Sequence, residues 1–418
     1  MMTPARRSRL PLLALAAIAI ARPAPAQEPP SPGATIPSDP VFTAVLIDGT
    51  QATGRLRQLG TGPGAVLVEG PGQERAIPLD RLVKLARGGL GGPPQREGGL
   101  VLFPDGDRLT RCVIGGIGDK GLDVQSFALG ALAIPEDGIL GLILAIPTER
   151  DAAEALVAQV RADPRKSESL WMSNGDRISG GLLAFDEKAI SFQAAAGKTE
   201  LDRSSVTALG FDPGLVSYPR PEGIYLELTL VDGSRLGASG VRIERGQVVG
   251  QARFGSDLRL PLAELASVHV LGGPVTYLSD REATGVQYES YLGPTRPYRR
   301  DLNVDGHPIR LGGEVYDRGI GTQSRTLLAY RLEPGARRFQ ASVGVDDLAG
   351  PLGSVAFKVL LDGTDKVLFA SPSMSAREAP KAIDVDITGG RLLILITEFG
   401  DRGDVQDHAD WAEARIIR

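Results

Sequence analysis

The chain has few of the residues on which disulfides, zinc sites and acid–base catalysis depend. Its 418 residues include one cysteine, three histidines and two tryptophans. The single Cys112 excludes an intramolecular disulfide, and no cluster of cysteine and histidine is present to hold zinc. The histidines, at positions 269, 307 and 408, lie far apart in sequence and leave little material for proton transfer near neutral pH. Composition therefore predicts a protein that is not an enzyme.

The sequence also lacks a basic field and a long apolar run. Its 46 basic and 51 acidic residues are interspersed and give a net charge of −5, so nucleic acid is excluded as a partner. The apolar run Leu10–Ala21 is shorter than a helix needs to cross ~30 Å of hydrocarbon. No other segment approaches the ~18 uninterrupted apolar residues of a membrane-spanning helix. We therefore expect no transmembrane segment after removal of a signal peptide.

The first 26 residues have the pattern of a secretory signal peptide. Arginines at positions 6, 7 and 9 precede the apolar run, and Ala24-Pro25-Ala26 places small residues where a signal peptidase inspects the chain. We expect cleavage after Ala26, a Pro-rich linker over residues 27–40, and an exported protein that is periplasmic, on the cell surface or extracellular. The alternative is an uncleaved N-terminal anchor, against which the short apolar run argues.

Glycine and proline are abundant, and their distribution indicates many short strands. The chain has 53 Gly and 30 Pro, yet 42% of its residues are hydrophobic, which is too many for a disordered chain. This balance is typical of strands joined by tight turns. The length predicts two to four domains.

A unit of about 45 residues occurs four times in the N-terminal two thirds of the chain. Each copy starts with an Asp-Gly or Asn-Gly pair between apolar segments, the strongest short-range signal for a hairpin with a type I′ turn. These pairs are Asp48-Gly49, Asp105-Gly106, Asn174-Gly175 and Asp232-Gly233. A second shared phrase, such as Ile77-Pro78-Leu79-Asp80, follows 26 to 30 residues later. We predict small β repeats at 41–88, 97–147, 168–212 and 222–272.

Alternation of apolar and polar residues indicates half-buried strands within each repeat. Each copy is predicted to contain a hairpin, further strands, a short helical turn and a closing strand, a layout that resembles small Sm-like or SH3-like barrels. So small a barrel is marginally stable alone, so neighbouring copies are expected to pack in pairs. A spacer helix at 148–163, capped by Thr148 and starting at Glu149, is expected between the two pairs. The repeats form either a scaffold or a groove for a peptide or polysaccharide, and we favour the scaffold.

From residue 275 to residue 418 the sequence pattern changes and predicts longer strands. Ordered phrases in this region include Tyr277-Leu278-Ser279-Asp280, Gly319-Ile320-Gly321-Thr322, Val343-Gly344-Val345-Asp346-Asp347 and Asp407-His408-Ala409-Asp410-Trp411. On these phrases the region resembles the NPCBM/NEW2 family, also classed as carbohydrate-binding module family 51. The resemblance implies a galactose-binding-like β-sandwich of the jelly-roll type. The predicted fold class is therefore mainly β, with tandem small β-barrel-like repeats followed by this sandwich.

Residues for sugar binding are expected in loops at one end of the sandwich. A pyranose needs an aromatic face and planar polar side chains that make paired hydrogen bonds. The candidates are Tyr288, Tyr291, Gln323, Arg325, Asp407, His408 and Asp410. Two positions depart from the family pattern, because Tyr291-Leu292-Gly293-Pro294 stands where the family often has Gly-Trp-Gly-Pro and Gln323 stands where it often has His.

The acidic segment near the C-terminus has two interpretations. The phrase 407–411 either binds glycan or a cation, or forms a buried polar cluster around Trp411, and we favour the second. Acidic residues 401, 404 and 407, with Gly400 and Gly403, are also compatible with a Ca²⁺ loop. By resemblance to sandwiches that hold a structural Ca²⁺, Asp280 and Glu413 are candidate metal ligands.

The leading hypothesis is an exported, non-catalytic protein that presents a galactoside-type carbohydrate-binding module on a stalk of small β repeats. Its expected partner is a galactose-containing glycan. An alternative is a structural or protein-interaction component of the cell envelope that has lost sugar binding, and the missing Trp and His motivate it. A third is an accessory region of a glycoside hydrolase system. A hydrolase itself is disfavoured, because no nucleophile elbow, metal motif or alternating strand–helix barrel pattern is present.

Overall fold

The computed structural model describes residues 40–60, 62, 64–88, 97–291, 294–363, 366–376 and 378–418. The predicted signal peptide, nearly all of the Pro-rich linker and most of the glycine-rich segment near residue 90 lie outside these residues. Over the described part of the chain, no helix is both long and apolar enough to cross a membrane.

The repeat region contains twenty strands and one α-helix. Its strands are β1 (Val41–Leu46), β2 (Gln51–Gly60), β3 (Gly64–Gly70), β4 (Gln73–Ile77), β5 (Leu82–Arg87), β6 (Gly99–Leu102), β7 (Arg108–Gly118), β8 (Gly121–Ser126), β9 (Gly130–Ile134), β10 (Gly141–Ile143), β11 (Glu168–Met172), β12 (Arg177–Phe185), β13 (Ala189–Ala194), β14 (Gly197–Asp202), β15 (Val206–Gly210), β16 (Tyr225–Leu230), β17 (Arg235–Glu244), β18 (Gln247–Ala252), β19 (Asp257–Pro261) and β20 (Leu265–Leu271). The helix α1 spans Arg150–Ala162, and short 3-10 helices span Leu79–Arg81, Pro104–Gly106, Glu136–Gly138, Arg203–Ser205 and Leu262–Glu264.

All four repeats have the same strand connectivity. The first four strands form an antiparallel meander, and the fifth strand returns to pair with the first, as in β1–β2–β3–β4 with β5 beside β1. A 3-10 turn connects the fourth strand to the fifth. Pro78, Pro135 and Pro261 precede this turn in three repeats. In repeat 3, Asp202 stands there instead, and its carboxylate accepts the backbone N–H of Ser204.

The hairpin turns differ from the expected type I′ geometry in three of the four repeats. In repeat 1 the N–H of Gly49 donates to the carbonyl of Leu46 at 2.9 Å, and only the glycine of the Asp-Gly pair has positive φ, at +80°. This is a type I turn followed by a glycine bulge. The Asp48 carboxylate accepts the N–H of Thr50 at 3.0 Å, so its side chain fixes the turn. Only in repeat 2 do both residues of the pair have positive φ.

The expectation of small barrels is not confirmed: the described repeat strands are joined in one continuous sheet, and no closed barrel is seen among them. The fifth strand of each repeat pairs with the fifth strand of another repeat. Strand β5 pairs antiparallel with β20, and β10 pairs antiparallel with β15. Repeat 1 therefore joins repeat 4, and repeat 2 joins repeat 3. This nesting corrects the expected pairing of copies 1 with 2 and 3 with 4. It satisfies backbone groups that would be left unpaired at an open edge.

The α-helix lies within one pair of repeats and does not separate two pairs. It connects repeats 2 and 3, and its Val160 packs in one buried cluster with Leu102, Ile143, Trp171 and Ala208. The helix begins at Arg150 after Glu149, and no side chain caps its first turn. The predicted start and the predicted Thr148 cap therefore lie slightly too early in the sequence.

The C-terminal region is a two-sheet β-sandwich, as predicted. Its strands are β21 (Val275–Tyr277), β22 (Gly285–Tyr288), β23 (Arg299–Arg300), β24 (Ile309–Leu311), β25 (Glu314–Tyr316), β26 (Gly319–Gln323), β27 (Thr326–Arg331), β28 (Arg338–Val345), β29 (Ser354–Leu361), β30 (Val367–Ala370), β31 (Met374–Ser375), β32 (Lys381–Asp386), β33 (Leu392–Phe399) and β34 (His408–Ile417), with a 3-10 helix at Leu278–Asp280. One sheet has the order β23-β26-β34-β28-β32, and the other has β22-β27-β33-β29-β30. Trp411 is buried between them, 5.1 Å from the Phe357 ring, and its indole N–H donates to Thr397 at 3.0 Å.

Buried ion pairs join the sandwich to the repeats. Arg318, in the turn before β26, is 1% exposed and donates to Glu227 of β16 at 2.6 Å and to Asp280 at 2.7 Å. Arg235 of β17 approaches the same Glu227 carboxylate at 2.9 Å. Burial by itself would raise the pKa of Glu227, but the two guanidinium groups lower it to about 2. One ionised carboxylate in repeat 4 therefore neutralises a cation from each side of the interface.

Glu227→Gln should destabilise the protein by about 3 kcal/mol, because it leaves two buried guanidinium groups without their shared anion. Urea unfolding at pH 7, followed by circular dichroism, measures the change. Glu74→Gln is the matched control, since its carboxylate pairs with Arg57 on the exposed surface and should contribute less than about 1 kcal/mol. Equal losses in the two variants would contradict the assignment.

Candidate functional site

Several loops of the sandwich meet at one end, which we call the loop end. The strand registers place Tyr288 opposite Thr326, and Gln323 opposite His408. In the same way, Val355 lies opposite Phe399. The segments 289–291, 294–298, 324–325, 346–353 and 400–407 therefore leave the two sheets at this end. Residues 292 and 293, which follow the candidate Tyr291, lie outside the described part.

A small cleft opens at the loop end. It is lined by Tyr288, Glu289, Ser290, Pro294, Thr295, Arg296, Gln323, Ser324, Arg325, Thr326 and Asp404. The structure thus brings three of the predicted site residues, Tyr288, Gln323 and Arg325, into one cavity.

Arg325 is fixed by two carboxylates. One guanidinium nitrogen donates to Glu289 at 2.6 Å, and Nε lies 2.7 Å from Glu398. Glu398 also accepts a hydrogen bond from Lys358 at 3.2 Å. Hydrogen bonding to Glu289 raises the pKa of Arg325. The two carboxylates therefore hold the guanidinium in one orientation at the wall of the cleft, and they neutralise its charge.

Gln323 and Tyr288 supply polar atoms of different kinds. The side-chain oxygen of Gln323 is buried and has no hydrogen-bond partner in the described structure. The Tyr288 hydroxyl accepts the backbone N–H of Tyr298 at 3.0 Å, and burial raises the pKa of this phenol. Since a buried acceptor without a donor is costly, the Gln323 oxygen is the atom of the cleft that most needs an incoming hydroxyl.

Tyr291 stands beside the cleft with its ring 67% exposed. Its backbone N–H donates to the Asp404 carboxylate at 2.9 Å, and its ring meets the edge of Phe399 at 5.9 Å. A side chain at position 403 would come within 3.0 Å of this ring, so Gly403 leaves room for it. Asp404, suggested by sequence as part of a Ca²⁺ loop, thus holds the Tyr291 backbone in place.

Asp407 and His408 lie behind the cleft and do not line it. Asp407 accepts the Ser324 hydroxyl at 2.6 Å and the Ser354 N–H at 2.7 Å, and burial raises its pKa to about 6. His408 Nδ1 lies 2.8 Å from Asp305, and burial lowers the pKa of this imidazole. Both residues support the loops that carry the cleft.

Asp410 is separated from the cleft. It lies on β34 between two residues of the sandwich core, and therefore on the opposite face of the sheet. The carboxyl group is fully buried beside Asp346, which already accepts N–H groups from Asn303, Leu348 and Arg310. Burial and the hydrogen bond with Asp346 raise the pKa of Asp410 well above its usual value. The raised pKa favours the protonated form of Asp410, whose O–H can donate to the Asp346 carboxylate.

The two candidate metal ligands face cations of the protein. Asp280 accepts from Arg318, and Glu413 accepts from Lys84 at 2.7 Å and from Arg415 at 3.0 Å. Throughout the described residues, no group of three or more His, Cys, Asp or Glu is arranged to hold a metal ion. Calcium binding stays a prediction, and it would require these carboxylates to exchange their present partners.

Three charged residues of the cleft were not among the candidates predicted from the sequence. They are Glu289 and Arg296, which line it, and Glu398, which contacts Arg325. Glu398 had a detectable signal, because it is a charged residue near the end of the apolar run that forms β33. Arg296 had none, since its place in the cleft depends on how the loop after β22 folds back over the sheet.

Asp410→Asn should remove a pH-dependent loss of stability. An unfolded aspartate ionises near pH 3.9, whereas burial raises the pKa of the folded carboxyl, so the free energy of unfolding falls as pH rises above about 4. The amide still donates to Asp346 and does not ionise. We expect the stability of the variant relative to the wild type to rise by more than about 1 kcal/mol between pH 4.5 and pH 8 in urea unfolding. The exposed Asp123→Asn should show no such rise, and a fall in Asp410→Asn would contradict the assignment.

Comparisons with known proteins locate this sandwich in a family. Residues 275–417 match the NPCBM/NEW2 domain. A Renibacterium salmoninarum protein that carries the name endo-alpha-N-acetylgalactosaminidase is 28% identical over 145 residues, which cover 34% of this chain and 9% of that protein. Alpha-1,3-galactosidase B of Akkermansia muciniphila is 30% identical over 119 residues, which cover 28% of this chain and 15% of that protein. The chain therefore spans less than a sixth of the length of either relative.

A solved structure of CBM51 from Clostridium perfringens GH95, in complex with methyl-galactose, is 30% identical. It covers 34% of this chain and 99% of its own, with a TM-score of 0.31. The resemblance drawn from the sequence phrases is thus confirmed by the family match over the same residues. Residues 275–417 of this chain are an NPCBM/NEW2 domain, a carbohydrate-binding module similar to the CBM51 modules of glycoside hydrolases.

Proposed function

We propose that this chain is an exported, non-catalytic protein that binds a galactoside-type glycan in the cleft at the loop end of the sandwich. One observation carries the proposal. At one end of the sandwich, the exposed ring of Tyr291 lies beside a cleft that contains the unpaired oxygen of Gln323 and the guanidinium of Arg325, which two carboxylates hold in place. These are the groups that a pyranose needs, because its C–H face packs on an aromatic ring and its hydroxyls form hydrogen bonds with planar polar groups.

The arrangement of the cleft supports binding at a preformed site. Tyr291 is held by Asp404 and Phe399, and Arg325 is held by Glu289 and Glu398. Few side chains therefore lose freedom when a sugar binds, which favours affinity.

The same contacts support a non-catalytic role. Glycoside hydrolysis uses two carboxyl groups, one as an acid and one as a base or nucleophile. Glu289 and Glu398 both contact Arg325, and Asp404 bonds to the backbone of Tyr291. These carboxylates are committed to holding the cleft. The family of the sandwich and the signal-peptide pattern of residues 1–26 support export of the protein for glycan binding.

Tyr291→Ala should weaken binding of methyl galactoside at least tenfold, because it removes the ring on which the sugar packs. Titration calorimetry of the full chain with methyl galactoside at up to millimolar concentration measures the loss. Phe127→Ala is the matched control, since Phe127 is a ring in repeat 2 that is 61% exposed. Unchanged affinity in Tyr291→Ala would remove this ring from the site. Absence of saturable binding by the wild type would favour the cell-envelope alternative.

Gln323→Leu should lower the affinity for methyl galactoside about three- to tenfold, the range expected for one lost hydrogen bond to a neutral hydroxyl. The same titration measures it, and the exposed Gln193→Leu serves as the control. A variant that binds as well as the wild type would show that the Gln323 oxygen is satisfied in another way.

A further inference from the structure

We propose that the cleft selects its sugar by charge, accepting rings without a negative charge and rejecting acidic sugars such as uronic acids. This inference rests on the proposed function and adds the chemical class of the ligand. It follows from how the charged side chains of the cleft are already paired.

The guanidinium groups of the cleft are neutralised before any ligand arrives. Arg325 contacts Glu289 at 2.6 Å and Glu398 at 2.7 Å. Arg296 forms an ion pair with Asp305. Among the described residues that line the cleft, both guanidinium groups thus have a counter-ion, and a sugar carboxylate that pairs with either would have to displace a protein carboxylate that is already in place.

Negative charge exceeds positive charge around the cleft. Of the described residues that line it or bond directly to its lining, five are carboxyl groups, namely Glu289, Asp305, Glu398, Asp404 and Asp407. By the same criterion only two cations, Arg296 and Arg325, stand against them, since Lys358 contacts Glu398, which does not itself line the cleft. His408, which contacts Asp305, adds little positive charge because burial lowers its pKa.

This surplus acts against an anionic ring and not against a neutral one. A C6 carboxylate enters a partly desolvated site where like charges repel, and specificity of this kind comes from a repulsive element. Among the described residues that line the cleft, Gln323 has a buried side-chain oxygen, an acceptor, that no donor of the protein reaches. Its donor can be a hydroxyl of an uncharged ring, so binding at this atom needs no negative charge on the sugar.

The test compares two ligands of the same ring that differ in charge, methyl galactoside and methyl galacturonide. Calorimetric titration of the full wild-type chain at pH 7.5 and low salt should give a dissociation constant at least tenfold higher for the galacturonide. The ratio should shrink in 0.5 M NaCl, because salt screens charges that are partly exposed to solvent. Equal or tighter binding of the galacturonide would overturn the inference while leaving the proposed function standing. If the wild type binds neither ligand, the proposed function fails, and this inference with it.

A matched pair of variants tests the mechanism. Glu289→Gln removes one carboxylate from the cleft and frees one side of Arg325, so the ratio should fall at least threefold towards one. Glu333→Gln removes a carboxylate of the same 54% exposure that pairs with Arg281 and Arg418. Glu333 follows β27, whose first residue, Thr326, lies in the cleft, so it is at the far end of that strand. The ratio should be unchanged in this control. Identical ratios in both variants would show that selection does not come from the paired charges of the cleft.

Discussion

The packing of the sandwich against the repeats depends on the buried Arg318 guanidinium, which lies between Glu227 of the fourth repeat and Asp280 of the sandwich. A buried cation is tolerated only when nearby anions and hydrogen bonds compensate for the loss of water. Arg318 also precedes β26, the strand that ends in Gln323. One of the contacts that join the repeats to the sandwich therefore lies directly before the strand that leads to the cleft. The sandwich is therefore attached to the repeats by a buried ion pair as well as by the chain that connects them.

Much of the local structure was predictable from sequence because its causes are local. The Asp-Gly turns, the proline phrases and the alternating strands are set by neighbouring residues, and they reappear as hairpins, 3-10 turns and strands. The partners of the fifth strands were not predictable. The segments Leu82–Arg87, Gly141–Ile143, Val206–Gly210 and Leu265–Leu271 are all short and apolar, so nothing in their composition specifies which pairs with which.

The cleft shows the same division between local and long-range causes. Tyr288, Tyr291, Gln323 and Arg325 were identified because aromatic and planar polar residues in loops suit a sugar. Asp410 was included with them because it is near His408 in sequence, but alternation along β34 directs it to the opposite face of the sheet. Glu398 and Arg296 were missed because they reach the cleft only through the register of β33 and the fold of a loop, which one sequence does not reveal.

The nested order of the repeats also has a consequence for how the chain acquires its structure. Strand β5 ends at Arg87, and its partner β20 begins at Leu265, so well over a hundred residues must be made before that edge is covered. Contacts between distant segments form slowly, and an open strand edge is a place where another chain can attach. The partners of the inner pair, β10 and β15, are much closer in sequence, and α1 lies between them in the chain. We therefore expect the inner pair of repeats to form before the outer pair, whose first strands are made long before their partners.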